Sequence, residues 1–145
     1  MAERLSPRLA GILEALPLRP GLRVLEIGCG PGALARAMAA RVAGGYMLGI
    51  DRSAKAIGQA VSGSSDEIAQ GILEFRHVAA DMFRMSHGQA LFDLAVAIRV
   101  GALDGRHPDQ QEATLRAIAA ALGPRGRLLI DGGDPFREIS LTPFR

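Results

Sequence analysis

With 145 residues, one cysteine and a formal net charge of +2, the chain fits a single domain with a real core, and an internal disulfide or a cysteine zinc cluster is excluded. No window is long and apolar enough to span a membrane, and Met1-Ala2-Glu3-Arg4 lacks the basic-then-apolar layout of a signal peptide, so the expected setting is cytoplasmic. Arginines such as Arg8, Arg23, Arg41, Arg76, Arg116 and Arg127 are scattered, Lys55 is the single lysine and aromatic residues are few, so there is no clear nucleic-acid signature.

In chain order, Ser6 caps a leading helix with Pro7 at its first position, and Leu9, Ile12, Leu13 and Leu16 repeat on one face until Pro17 and Pro20 stop it. Residues 22–27 make the first strand. The helix after it carries Leu34, Ala37, Met38 and Val42 as an apolar stripe and ends before Gly44-Gly45. Tyr46 to Ile50 is the second strand, closed by Asp51. Ser53 caps the next helix, which Gly58 and Ser62-Gly63-Ser64-Ser65 break in two. Leu73 to Ala79 is a third strand, Leu91 to Ile98 a fourth and Arg127 to Ile130 a fifth, with a helix from Asp109 to Leu122 between the last two. This alternation predicts an α/β fold, a doubly wound and mostly parallel sheet flanked by helices, with ligands beyond the carboxyl ends of the strands. No linker or repeat divides residues 1–145, so one domain is expected.

The densest chemistry lies in Val24-Leu25-Glu26-Ile27-Gly28-Cys29-Gly30-Pro31-Gly32, where an apolar strand runs into three glycines and then a helix. Such glycines let the backbone turn tightly and approach a ligand. Cys29 fits there as a small space-filling residue rather than a nucleophile. Gly28, Gly30 and Ala33 also satisfy the dinucleotide pattern Gly-x-Gly-x-x-Ala. A dinucleotide would set its pyrophosphate at the helix N-terminus, where the carboxylate of Glu26 is a poor neighbour. A cofactor bearing an ammonium and a sulfonium suits that acid better.

These residues resemble the class I S-adenosylmethionine-dependent methyltransferases. The resemblance implies a Rossmann-like sheet whose glycine loop, with Gly28, Cys29, Gly30 and Gly32, wraps the methionine part of S-adenosyl-L-methionine while Glu26 meets its amino group. It implies that Asp51 accepts from the ribose hydroxyls, with Arg52 lining the adenosine. Asp81 would accept from the adenine amino group and Met82 would pack on the ring. Arg99, with Val100, would face the methionyl end and the incoming substrate. The family's sheet ends in an antiparallel hairpin of two strands. Residues 131–145 supply at most one short strand, so the full hairpin is not expected. Either Arg137 to Leu141 folds back beside the fifth strand or a homodimer covers the exposed sheet edge.

Asp51 and Asp81 also suit the role of caps for the elements they precede. Asp93, inside a strand, reads as structural. No catalytic base is obvious: Asp104 and His107 lie in the right region, but His107 reads first as a cap for the helix opening at Pro108, and His77 and His87 as structural or exposed. Three functions follow. The first is methyl transfer from S-adenosyl-L-methionine to a small-molecule acceptor, the second a non-catalytic cofactor-binding or partner module. The third, a nicotinamide-dependent oxidoreductase, fares worst because Tyr46 and Lys55 cannot form a spaced tyrosine–lysine pair. No metal site is expected.

Overall fold

The computed structural model describes residues 5–145; the Met1-Ala2-Glu3-Arg4 start lies outside the described residues. Helix α1 (Pro7–Ala15) begins as its sequence predicts: Ser6 Oγ accepts from the Leu9 N–H at 3.2 Å, and Pro7 occupies the first turn. Its buried residues Ile12 and Leu13 dock it on the sheet.

Six strands follow, β1 (Arg23–Ile27), β2 (Tyr46–Asp51), β3 (Leu73–His77), β4 (Phe92–Ala97), β5 (Leu122–Asp131) and β6 (Phe136–Ile139), in the order β3-β2-β1-β4-β5-β6. The first five are parallel, and β6 returns antiparallel to β5 with Leu128 opposite Ile139. Helices α2 (Ala33–Ala39), α3 (Ala54–Ser62), α4 (Ser65–Ala69) and α5 (Gln111–Ala121) form the crossovers. The chain steps outward from β1 to β3, then restarts on the other side of β1 with β4. The strand order therefore reverses between β1 and β4, and a crevice opens at their carboxyl ends.

Both faces of the sheet are covered, which is why its strands read as nearly continuous apolar runs. Leu25, Ile27, Leu48, Ile50, Ala95 and Ile130 pack one layer against Leu115 and Ile118 of α5. Val24, Met47, Leu94, Val96 and Leu129 pack the other against Ile12 of α1 and Leu34, Ala35 and Met38 of α2. Burial of such side chains, at roughly 25 cal/mol per Å² of apolar surface, is the main force holding the strand ends in register.

Several expectations change in detail. Gly58 lies within α3, and the break to α4 falls at Gly63-Ser64, where Ser64 is buried and its Oγ accepts from Arg36 at 2.9 Å. The third strand stops at His77, because a 3-10 turn over Ala80–Met82 takes over the backbone. The last helix ends at Ala121, and Leu122 already pairs with Phe92 before the register shifts to Leu94 opposite Arg127. Asp93 is structural as expected: its Oδ2 accepts from the Arg23 N–H at 3.0 Å. The tail folds back as β6, which covers β5 and leaves its own outer edge open.

Gly32, at φ +91°, begins α2 in the left-handed region. A Cβ there would lie 2.9 Å from Arg36 Nη1, 3.1 Å from Phe75 Cζ and 3.2 Å from Ala60 Cβ. Backbone strain and overpacking act together at this site. Gly32→Ala is expected to lower stability by about 2–4 kcal/mol in urea denaturation; an unchanged midpoint would refute the packing argument.

Candidate functional site

A cleft of about 320 Å³ opens at the carboxyl ends of the central strands, at the lower end of the size range of small-molecule sites. Of the residues singled out from sequence, Gly28, Asp51, Arg52, Asp81 and Arg99 line it. They come from the carboxyl ends of four strands or the loops after them, Asp51 and Arg52 both from β2, so the sheet topology gathers them.

Asp51 ends β2 and is built into the glycine loop. Its Oδ2 accepts from the Gly30 N–H at 2.9 Å and its Oδ1 from the Ser53 N–H at 2.8 Å. The carboxylate thus braces the loop and the start of α3, and each oxygen keeps a further lone pair for a ligand. Gly30 has φ +55°, and a Cβ there would meet nothing within 4 Å. Gly28, at φ +69°, lies against the opposite wall, where a Cβ would be 2.9 Å from Val100 Cγ2. Asp81 sits in the 3-10 turn after β3, and no side chain caps that turn.

Glu26 lies behind the loop rather than in the cleft wall. It is 3% exposed, and its Oε1 has no hydrogen-bond partner among the described residues. Burial raises its pKa from the ordinary 4.5 to about 8, with the nearby Asp51 carboxylate adding to the rise. A buried carboxyl without a partner is costly and calls for either a proton or a cation.

Cys29 and Met82 do not line the cleft. Cys29 is buried, and it fills the space beside Gly49, whose Cβ would come within 3.0 Å of Sγ. Burial also pushes its thiol pKa up, so the side chain is inert. Met82 is 64% exposed, because Phe83 takes the buried position after the turn. Gly32 closes the loop from behind as the start of α2.

The opposite wall comes from the loop after β4 and from α5. Arg99 has φ +59°, the one positive value outside glycine among the described residues. It is clamped on both sides: its N–H donates to Asp131 Oδ1 at 3.0 Å, and its carbonyl accepts from Arg106 Nη2 at 2.7 Å. Asp131 in turn pairs with Arg8 of α1 at 2.6 Å. Arg106 is held by Asp104 at 2.9 Å, and the guanidinium lowers the Asp104 pKa, which makes that carboxylate a poor base.

His107 holds the N-cap position of the turn at Pro108, as the sequence reading has it, but its side chain makes no capping hydrogen bond. Its ring packs toward Gly101, where a Cβ would lie 2.4 Å from Cδ2, and it lines the cleft. His77 is structural, its ring nitrogen 3.0 Å from the Arg52 carbonyl. Sequence reasoning missed Arg106, Gln110 and Thr114, which also line the cleft. Thr114 had a signal, since it is a polar residue on the face of α5 that carries Ala117 and Ile118. Among the described residues no helix is long and apolar enough to cross a membrane, and no group of His, Cys, Asp or Glu is placed to hold a metal ion.

The chain matches the family model described as a methyltransferase domain over residues 24–126. It is 34% identical over 74% of its length to a ubiquinone biosynthesis O-methyltransferase of Aromatoleum aromaticum, covering 42% of that protein. It is 35% identical over 94% of its length to a protein-L-isoaspartate O-methyltransferase of Methylorubrum extorquens, covering 53%. A methyltransferase from Thiobacillus denitrificans, solved with S-adenosyl-L-homocysteine, superposes with a TM-score of 0.65 at 25% identity, over 90% of this chain and 50% of the other. The chain spans about half the length of these relatives. The family match, together with the glycine loop and the acids at or just after the carboxyl ends of β1, β2 and β3, establishes that the chain belongs to the class I S-adenosylmethionine-dependent methyltransferases.

Proposed function

We propose that the chain is one S-adenosyl-L-methionine-binding domain that transfers a methyl group to an oxygen of a small-molecule acceptor. The observation that carries this reading is one cleft lined by Gly28, Asp51 and Asp81, with Asp51 bonded to the glycine loop and Glu26 buried behind that loop. Relatives that methylate oxygen support the atom, and the cleft size supports a small acceptor.

The residues fit the cofactor. The buried Oε1 of Glu26 has no hydrogen-bond partner among the described residues, which suits an ammonium, directly or through water. Gly28 and Gly30 let the backbone pass close to the methionyl chain. Asp51 would offer paired acceptors for a ribose diol, Arg52 and Asp81 would flank the adenosine end, and Arg99 would stand at the methionyl end. Cys29, Gly32 and Met82 support the loop and rim rather than the ligand.

When bound, the cofactor would supply a methyl carbon activated by the sulfonium for transfer to the acceptor oxygen, whose proton would pass to a base. The protein's task is alignment and exclusion of water. His107 is the base candidate, being the histidine that lines the cleft. Calorimetry with S-adenosylhomocysteine and a nicotinamide dinucleotide tests the reading at its root. The adenosyl ligand should bind and the dinucleotide should not, and the reverse would overturn it.

We propose the outer edge of β6 as a homodimer contact, because among the described residues Phe136–Ile139 pairs with β5 and no strand pairs on its other side. Light scattering should give the mass of two chains; a monomer at high concentration would overturn this assignment.

A further inference from the structure

The wall opposite the cofactor loop carries two arginines, Arg99 and Arg106, and a buried hydroxyl with no hydrogen-bond partner among the described residues. Thr114 is fully buried in α5, lines the cleft, and its Oγ1 has no hydrogen-bond partner. A helical threonine ordinarily bonds back to the carbonyl one turn earlier, which removes this cost. Here no such bond is made among the described residues, and the hydroxyl keeps its hydrogen-bonding capacity in a residue that borders the cleft.

Arg99 and Arg106 line the same cleft. Arg99 holds a left-handed backbone that arginine rarely adopts, and that conformation persists because Asp131 and Arg106 fix both of its peptide groups. Among the described residues its guanidinium has no hydrogen-bond or ion-pair partner, and Arg99 lines the cleft. Arg106 spends Nε on Asp104 and Nη2 on the Arg99 carbonyl, leaving Nη1 donors. The acids of the cleft, Asp51 and Asp81, belong to the β2 and β3 side.

We infer that this wall is an acceptor subsite for a small hydroxy acid, its carboxylate on Arg99 and Arg106 and a hydroxyl of the same molecule on Thr114 Oγ1. The inference rests on the methyl-transfer reading and adds the substrate class. Asp131 is a positioning residue, acting through Arg99 and tying it to Arg8 of α1. Charge-assisted pairing with guanidinium groups is about twice as strong as a neutral hydrogen bond, so charge should dominate selection.

The test uses the full chain saturated with S-adenosylhomocysteine, whose binding is first established by calorimetry. The probes are 4-hydroxybenzoate and its uncharged isostere 4-hydroxybenzamide, with Kd from ligand-observed NMR. The acid should bind at least about tenfold tighter than the amide, and Arg99→Gly, which suits the backbone conformation, should erase that preference. Thr114→Val should weaken both probes and raise Tm by about 3 °C, since it removes an unsatisfied buried hydroxyl at nearly constant volume.

Equal binding of acid and amide overturns the subsite, as does acid preference that survives in both Arg99→Gly and Arg106→Gln. A lowered Tm in Thr114→Val makes the hydroxyl structural and overturns its role. If the chain binds no S-adenosylhomocysteine, the methyl-transfer reading fails first and the subsite with it, whereas cofactor binding without acid preference removes the subsite alone.

Discussion

Glu26→Gln is expected to flatten the dependence of stability on pH between about 5 and 8 while weakening cofactor binding. Glu26 is buried with an unpartnered Oε1, and its pKa is raised from 4.5 to about 8. The sign follows from proton counting. Between those two values the folded chain holds a proton on Glu26 that the unfolded chain has released, so stability falls as pH rises, by up to about 1.4 kcal/mol per unit. Below 4.5 both states are protonated and the cost vanishes; above about 8 it is complete, on the order of 3–5 kcal/mol. Gln carries no charge at any pH, so this slope should disappear. Its buried amide still lacks partners, which limits the gain in stability at pH 8 to about 1–3 kcal/mol.

The same carboxyl links cofactor to proton. An ammonium brought near Oε1 favours the charged form, so binding of S-adenosylhomocysteine near pH 7 should release a proton and tighten as pH approaches 8. Calorimetry in buffers of different ionisation enthalpy reads that proton directly. The neighbouring titratable groups are Asp51 and Cys29, and the thiol of Cys29 is pushed further from the physiological range, so it does not compete for the signal. Proton release that persists unchanged in Glu26→Gln would reject the assignment of the amino-group contact to Glu26.

How much of this was legible in the chain depends on the physical range of each signal. The strand-to-glycine run and the acids at the strand ends are local patterns, and parallel topology brought Gly28, Asp51 and Asp81 to one cleft without further information. The cap at Ser6 is equally local and appears as expected. What escaped were contacts across the fold. Nothing near Arg99 in sequence says that Asp131 will hold its N–H, because those residues meet only when β4 and β5 pair. His107 looked like a cap because it precedes Pro108, yet its ring turns toward Gly101, where the missing Cβ makes room. Met82, expected to pack on the adenine ring, stands 64% exposed, and Phe83 beside it is the residue the core accepts. The tail's return as β6 was foreseen as one of two ways to cover β5, and what decided it was the turn at Gly132-Gly133, where a Cβ on Gly133 would be 2.2 Å from the Phe136 carbonyl oxygen.

Asp51 carries two duties, and a single substitution cannot tell them apart. Its oxygens hold the Gly30 and Ser53 N–H groups, so Asp51→Ala should lower stability by about 1–3 kcal/mol through lost acceptors and should also loosen the loop that faces the ligand. Weaker binding of S-adenosylhomocysteine would then follow even if the carboxylate never touched the ribose. The decisive comparison pairs the variant with a ligand that lacks the diol. For the native chain, the 2′,3′-dideoxy analogue should bind about 1–3 kcal/mol more weakly than S-adenosylhomocysteine, since two donors lose a charged acceptor. In Asp51→Ala the two ligands should bind alike, because the acceptor for the diol is already gone. If instead Asp51→Ala weakens both ligands by the same factor and preserves the gap between them, Asp51 acts through the glycine loop alone. In that case the ribose acceptor must be sought among the other groups at the adenosine end, with Asp81 the first to substitute.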